Sequence, residues 1–336
     1  MTLIFNKLNK VNKKTVLLAT VIACGACGSA IAQSDTKEVA IDFEAVVGDR
    51  EFACGESYES IGTSESTVTP TDFRFYVSNV ALVDEDGNAV PLELEQDGKW
   101  QYQNVALLDF EDGTSACDNG TAEMNTTVVG TVPKGDYQGL QFTMGVPEDL
   151  NHEDAAIAPS PLNLTSMWWN WQGGYKFLRV DLETDKAIAN SQMNHSKSTQ
   201  ASEQPSIFES EKEIHSQNTH NNHGDSGHGA EQTSSNAYLI HLGSTGCADS
   251  AQSNLFNCAN PNRVDVTLED FNPEDNVVVA DLAELLAQSD LAANEANTPA
   301  GCMSSPEDSD CMPIMQNLSL SSSNIADSQQ QFFFVE

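Results

Sequence analysis

The sequence predicts an all-β fold: an antiparallel β-sandwich or barrel-like domain with one short helix and a long disordered His-rich loop. Three observations carry this prediction. First, apolar and polar residues alternate with a period of two. In "DFRFYVSNVAL", Phe73, Phe75 and Val77 alternate with Arg74, Tyr76 and Ser78, the pattern of a half-buried strand. Second, Gly, Asn and Asp turn signals divide the chain into many short runs. Third, from Asn190 to Asn236 the chain turns to Ser, Gln, Asn, Glu and His with almost no large apolar residue. Such a stretch cannot bury enough surface to offset the entropy of ordering.

The elements follow in chain order. Residues 1–32 have the form of a secretory signal peptide: Lys7, Lys10, Lys13 and Lys14 precede the apolar run "TVLLATVIACGACGSAIA", which closes on Ala30-Ile31-Ala32. The run is too short for a membrane span, and no later segment is apolar enough for one. A rival cut at "VIAC" would make Cys24 the lipid-anchored first residue of a lipoprotein. Cleavage after Ala32 leaves residues 33–336 as a single β domain, interrupted by the 190–236 insertion and exported to the periplasm.

Within that domain, "VALVDEDGNAVPLEL" breaks at Asp86-Gly87-Asn88 and "VVGTVPKGDYQGLQFTMGV" at Lys134-Gly135-Asp136, and both read as hairpins. Further strands are expected at "YKFLRVDLE", "NAYLIHLGS", "NRVDVTLEDF" and "QFFFVE". The helix is expected at "VVADLAELLAQSDLA", where Leu282, Leu285, Leu286 and Leu291 recur at helical intervals. "DEDGN" and "DFEDG" bring oxygens next to glycine, but neither has the ligand spacing of a twelve-residue calcium loop. Both read as hairpin turns.

Six cysteines remain after cleavage: Cys54, Cys117, Cys247, Cys258, Cys302 and Cys311. In an exported chain an even count reads as three disulfides. Proximity pairs Cys247 with Cys258 and Cys302 with Cys311, leaving Cys54 for Cys117. Fifteen Lys and Arg against fifty Asp and Glu give a net charge of −35, and loss of four leader lysines takes it to −39. Nucleic acid is thereby excluded as a partner, because phosphate binding requires clustered cations.

Two features offer chemistry. The loop stretch "HSQNTHNNHGDSGHG" spaces His215, His220, His223 and His228 at intervals of five, three and five, which reads either as a metal-capturing tract or as a tolerated polar insertion. Outside the loop stand His152, in "GVPEDLNHEDA", and His241, in "YLIHLGSTGC". Between them, "MWWNWQGGYKF" holds three of the four tryptophans. In an extended chain Met167, Trp169 and Trp171 would share one face and Trp168 and Asn170 the other. Indole is a poor metal ligand because its nitrogen carries a proton. Oxidative opening to kynurenine supplies an aniline nitrogen and a ketone oxygen, and Cu(I) accepts imidazole, aniline nitrogen and a thioether, which makes Met167 a further candidate ligand. A competing reading makes Trp168, Trp169 and Trp171 a stacking platform of a glycan- or peptide-binding sandwich. A hydrolytic enzyme has little support, since no nucleophile motif of recognisable spacing appears.

The runs "DFRFYVSNVAL", "WQYQNVALLDFEDG", "GDYQGLQFTMGVPEDLNHEDAAIAPSPLNLTSMWWNWQGGYKFLRVDL", "HLGSTGC" and "PNRVDVTLEDFNPEDNVVVADL" resemble the metallo-mystery pair, four-cysteine motif proteins, the MbnP family. The resemblance implies an exported copper-binding protein paired with a MauG-like dihaem enzyme related to cytochrome c peroxidases. The chain would then be that enzyme's substrate and not itself a catalyst. One tryptophan would be oxidised to kynurenine, on which copper binding depends. The family's four cysteines map onto Cys54, Cys117, Cys247 and Cys258, and its histidines onto His152 and His241. Its tryptophan motif maps onto Met167 to Gln172, leaving Trp169 and Trp171 as the candidates for modification, with Trp169 favoured.

Overall fold

The computed structural model describes residues 35–186, 189–190, 236–249, 256–320 and 330–336. The leader with Cys24 lies outside these residues, as do His215, His220, His223 and His228.

Two sheets pack face to face. The smaller runs in the order Phe333–Val335, Val278–Asp281, Thr36–Val47, Thr127–Pro133, Glu93–Leu94. The larger runs Val264–Glu269, Tyr137–Met144, Ser66–Asp84, Gly174–Thr184, Ala237–Gly243, Gly301–Cys302, with Val105–Asp109 also paired to the long strand Ser66–Asp84. Both orders end in edge strands, so the fold is a sandwich and not a closed barrel. Most pairs are antiparallel, but Phe43–Val46 runs parallel to Val278–Asp281, and Leu239–Ile240 parallel to Gly301–Cys302. The strand Thr36–Val47, absent from the expected set, alternates Val39, Ile41, Phe43, Ala45 and Val47 into the core. Aromatic rings join the sheets: Phe43 lies 6.2 Å from Phe75 and 5.7 Å from Phe142, in edge-on geometry.

Several expectations are corrected. The turn at Lys134–Asp136 is not a hairpin: Thr127–Pro133 pairs with Thr36–Asp42 in the small sheet, while Tyr137–Met144 pairs with the long strand in the large one. The chain crosses between sheets there, because Val128 and Val132 on one side and Leu140 and Phe142 on the other fill the same core. The segment "VVADLAELLAQSDLA" is half strand. Val278–Asp281 pairs with Phe43–Val46, and only Leu282–Leu286 is helical, capped by the Asp281 carboxylate accepting from Ala283 N at 2.8 Å. A second helix, Cys311–Asn317, adds to the single one expected. It starts at a disulfide and carries Pro313 in its first turn, so helical periodicity alone gave no signal. Asn317 Nδ2 donates to the carbonyls of Glu284 and Leu285, satisfying the end of the first helix.

The "DFEDG" segment also departs from a simple turn. Its buried Glu111 carboxylate accepts from Gly113 N and Thr121 N, gathering a wide loop, whereas "DEDGN" does form the expected hairpin, Asp84 accepting from Asp86 N and Asn88 N. The three bridges are Cys54–Cys117, Cys247–Cys258 and Cys302–Cys311, as expected.

The largest departure concerns the outer face of the large sheet. Arg74, Tyr76 and Ser78, expected in solvent, are fully buried. Residues 146–167 fold back over this face and form a second cluster in which Val146, Leu150, Leu162 and Met167 meet Tyr76, Tyr175 and Phe177. Where that cluster stops, charges take over. Arg74 pairs with Asp72 and lies 3.5 Å from Glu111, while Arg179 reaches Asp72 at 3.2 Å and Asp181 at 2.6 Å. The register sets Arg179 opposite Arg74 and Asp181 opposite Asp72, so the Asp72 carboxylate sits between two guanidinium groups and the Asp181 carboxylate between Arg179 and His241.

Removing one charge from such a buried set leaves its partners uncompensated. Arg74→Met is expected to cost about 3–5 kcal/mol in urea unfolding, even though the side-chain volumes are similar. Burial pushes the nearby Asp109 carboxyl up to about 7 despite a hydrogen bond from Thr121 and the charge of Arg74. Its folded form therefore holds a proton that the unfolded chain has lost, and the stability this contributes declines as pH rises from about 4 to 7. Urea midpoints measured across that range should show a smaller decline in Asp109→Asn than in the wild type.

Candidate metal centre at the tryptophan hairpin

Trp168–Asn170 and Gly174–Thr184 form a hairpin, with Trp168 opposite Tyr175 and Asn170 opposite Gly174. Asn170 closes the turn: its Oδ1 accepts from Gln172 N at 2.9 Å and Gly173 N at 2.8 Å. Met167 lies one residue before the strand, in the 3-10 turn Thr165–Met167, and is fully buried in the second cluster. The expected alternation therefore begins too late to put Met167, Trp169 and Trp171 on one face. Trp168 packs against the second cluster with its indole N–H buried, whereas Trp171 is half exposed.

Trp169 takes a third direction. A methyl group added at Gly243 would sit 2.6 Å from Cζ3 of Trp169. The indole lies across the strand Ala237–Gly243 where that side chain is missing. Two residues earlier on the same strand face stands His241, almost fully buried, with Nε2 2.7 Å from Asp181 Oδ1. Burial holds the imidazole below its ordinary pKa, so the neutral ring donates Nε2–H to Asp181 and keeps its lone pair on Nδ1. Burial alone would raise Asp181, but the His241 hydrogen bond and Arg179 hold its carboxyl well below the usual range. Alongside, burial and the charge of Arg179 push Lys176 down to about 8, and its Nζ donates to the Ser166 carbonyl at 2.9 Å.

His152 arrives from the opposite side on the loop after Val146. Asn151 docks that loop: its Oδ1 accepts from Tyr175 N at 3.1 Å, and its main-chain oxygen lies 2.4 Å from where a Cβ of Gly174 would be. With φ +71, Gly174 occupies a conformation that also favours glycine. His152 Nδ1 is 3.1 Å from the Trp171 carbonyl oxygen, and Nε2 is 3.2 Å from Asn151 Nδ2. Donation from Nδ1–H to the carbonyl puts the lone pair on Nε2. Burial lowers this imidazole also, against the raising effect of the Trp171 carbonyl.

The structure thus brings His152 to the hairpin turn and Trp169 to the strand of His241. The tightest group of His, Cys, Asp or Glu donors among the described residues is His152 with Cys247 and Cys258, and His241 is not in it. Asn151, Arg179 and Asp181, which fix the two imidazoles, escaped the sequence reading. Their only trace was charge within apolar strands, "FLRVDL" opposite "TDFRF".

A disulfide-stapled β-sandwich with two anchored imidazoles beside a tryptophan hairpin is the architecture of a protein related to the metallo-mystery pair group. The chain belongs to the MbnP family, whose profile matches residues 36–304. That span contains both histidines, the hairpin and the two cysteine pairs Cys54–Cys117 and Cys247–Cys258. A solved structure, MbnP from Methylosinus trichosporium, is similar with a TM-score of 0.68 and 28% identity over 89% of this chain and 98% of that chain. No curated protein matches the chain. No helix among the described residues is long and apolar enough to cross a membrane.

Gly243→Ala tests the placement of Trp169. The added methyl overlaps the indole, so the variant should lose about 1–3 kcal/mol and change its near-ultraviolet circular dichroism, while the far-ultraviolet spectrum stays that of the wild type.

Proposed function

We propose that this protein is a periplasmic copper-binding protein whose site forms after a partner MauG-like dihaem enzyme oxidises Trp169 to kynurenine. The protein is the substrate of that enzyme and not a catalyst. His152 and His241 hold the metal, as Cu(I), together with the donors of the opened indole. The observation that carries the reading is the anchoring of both histidines. Each commits one ring nitrogen to a fixed acceptor, the Trp171 carbonyl for His152 and the Asp181 carboxylate for His241. This is how metal-binding imidazoles are usually oriented, with the second nitrogen left to the ion; at His152 the ion would take the place of the Asn151 Nδ2 contact on Nε2. Trp169 is preferred to Trp171 because its ring lies against Gly243, on the face of the strand that carries His241. Neutral imidazoles bind metal and protonated ones do not, so their lowered pKa values keep proton competition to more acidic conditions.

The stacking-platform alternative requires the three indoles to share an exposed face. Here they diverge, one into the second cluster, one over Gly243 and one outward. Met167 contributes as a buried anchor of the segment.

Protein made with and without the dihaem enzyme should differ in copper retained after dialysis. It should also differ in mass, by about +4 Da on the peptide containing residues 168–171, since kynurenine gains an oxygen and loses a carbon. Fragmentation should place the change on Trp169, and His152→Ala and His241→Ala should each lower copper uptake of the oxidised protein. Equal, negligible uptake in both preparations would sink the proposal.

A further inference from the structure

The three disulfides differ in access. Cys117, Cys302 and Cys311 are sealed in the interior, and Cys54, though partly buried, packs against the main core and is bonded to the sealed Cys117. Cys247 and Cys258 are only partly buried, facing each other on the ribbon Thr245–Asp249 and Phe256–Asn260, which belongs to neither main sheet. His152 Nε2 lies 3.5 Å from Cys258 Sγ, and the donor atoms of His152, Cys247 and Cys258 all fall within 4.8 Å of one another.

We propose that this bridge masks a second metal site, in which reduction frees Cys247 and Cys258 to join His152 as ligands of a thiophilic ion such as Cu(I), Zn(II) or Cd(II). The opening step is thiol exchange with a dithiol reductant. The S–S bond breaks, two Cys–SH groups form with the reductant's two electrons and two protons, and the reductant closes its own disulfide. Metal binding then releases the thiol protons, leaving two thiolates and one imidazole as ligands and a fourth position open. Soft thiolate donors select such ions over hard ones. Among the three bridges this is the one with both cysteines partly exposed, so a reductant is expected to reach it first.

The frame survives reduction because other contacts hold it. Asn260 Nδ2 donates to Thr245 Oγ1 at 3.2 Å, Ser244 Oγ to the Pro261 carbonyl at 2.8 Å, and Asn262 Nδ2 to the Gly243 carbonyl at 2.8 Å. On the other side Asn151 keeps the His152 loop against the hairpin. The site shares His152 with the reading above but requires neither an oxidised tryptophan nor His241.

The test uses the mature chain made without the dihaem enzyme, reduced anaerobically with limiting dithiothreitol and freed of it before titration with Cd(II). Alkylation and peptide mass mapping should find Cys247 and Cys258 modified before the other four cysteines. The reduced protein should bind one Cd(II) with a thiolate-to-metal charge-transfer band that the oxidised protein lacks. Cys258→Ser should abolish the band, and His152→Ala should keep both thiols but weaken Cd(II) binding by more than about tenfold. Prior reduction of another bridge, no band after reduction, or unchanged affinity in His152→Ala would each overturn the proposal. Copper retained by partner-oxidised, unreduced protein is read separately, so either site can fail without the other.

Discussion

A guanidinium group with no exposed surface dictates much of this structure. Arg74 lies on the long central strand of the large sheet, and a charge so far from water must be met by charges of opposite sign. Asp72 meets one of its terminal nitrogens and Glu111 the other. Asp72 in turn binds Arg179, which binds Asp181, which holds His241. The candidate metal ligand is thus held by a hydrogen bond at the end of a relay of ion pairs that crosses neighbouring strands. Its orientation is set by the electrostatic demands of the sheet and not only by local packing.

The same relay explains what the sequence could and could not disclose. The alternation of Phe73, Phe75 and Val77 marked a strand correctly, and so did the runs around Val264 and Ile240. Alternation reports that two faces differ in polarity. It does not report whether the polar face meets water or other charges, and for Arg74 and Arg179 it meets charges. Turn residues had a similar limit. Lys134-Gly135-Asp136 marked a reversal of the chain, but whether the two strands pair or part depends on partners about a hundred residues away in either direction. The helical spacing of leucines at 282–291 overran its helix because Leu291 reaches the same core from a turn.

The site was legible in its residue types and not in its arrangement. His152, His241 and the tryptophans stand out by composition and by likeness to a known family. Their relative placement rests on two absent side chains: Gly243 admits the Trp169 indole, and Gly174 admits Asn151 and with it the His152 loop. A missing Cβ leaves no pattern in a sequence read alone. It becomes meaningful only when the atom that fills the space is known.

The rims of the sandwich bear on how the molecule meets others of its kind. Edge strands at three of the four ends are two or three residues long: Gly301–Cys302, Phe333–Val335 and Glu93–Leu94. The fourth, Val264–Glu269, turns Asp265, Thr267 and Glu269 outward. Two copies brought rim to rim would set carboxylate against carboxylate, on a chain already far to the acidic side. Backbone-to-backbone accretion into fibrils is thereby discouraged.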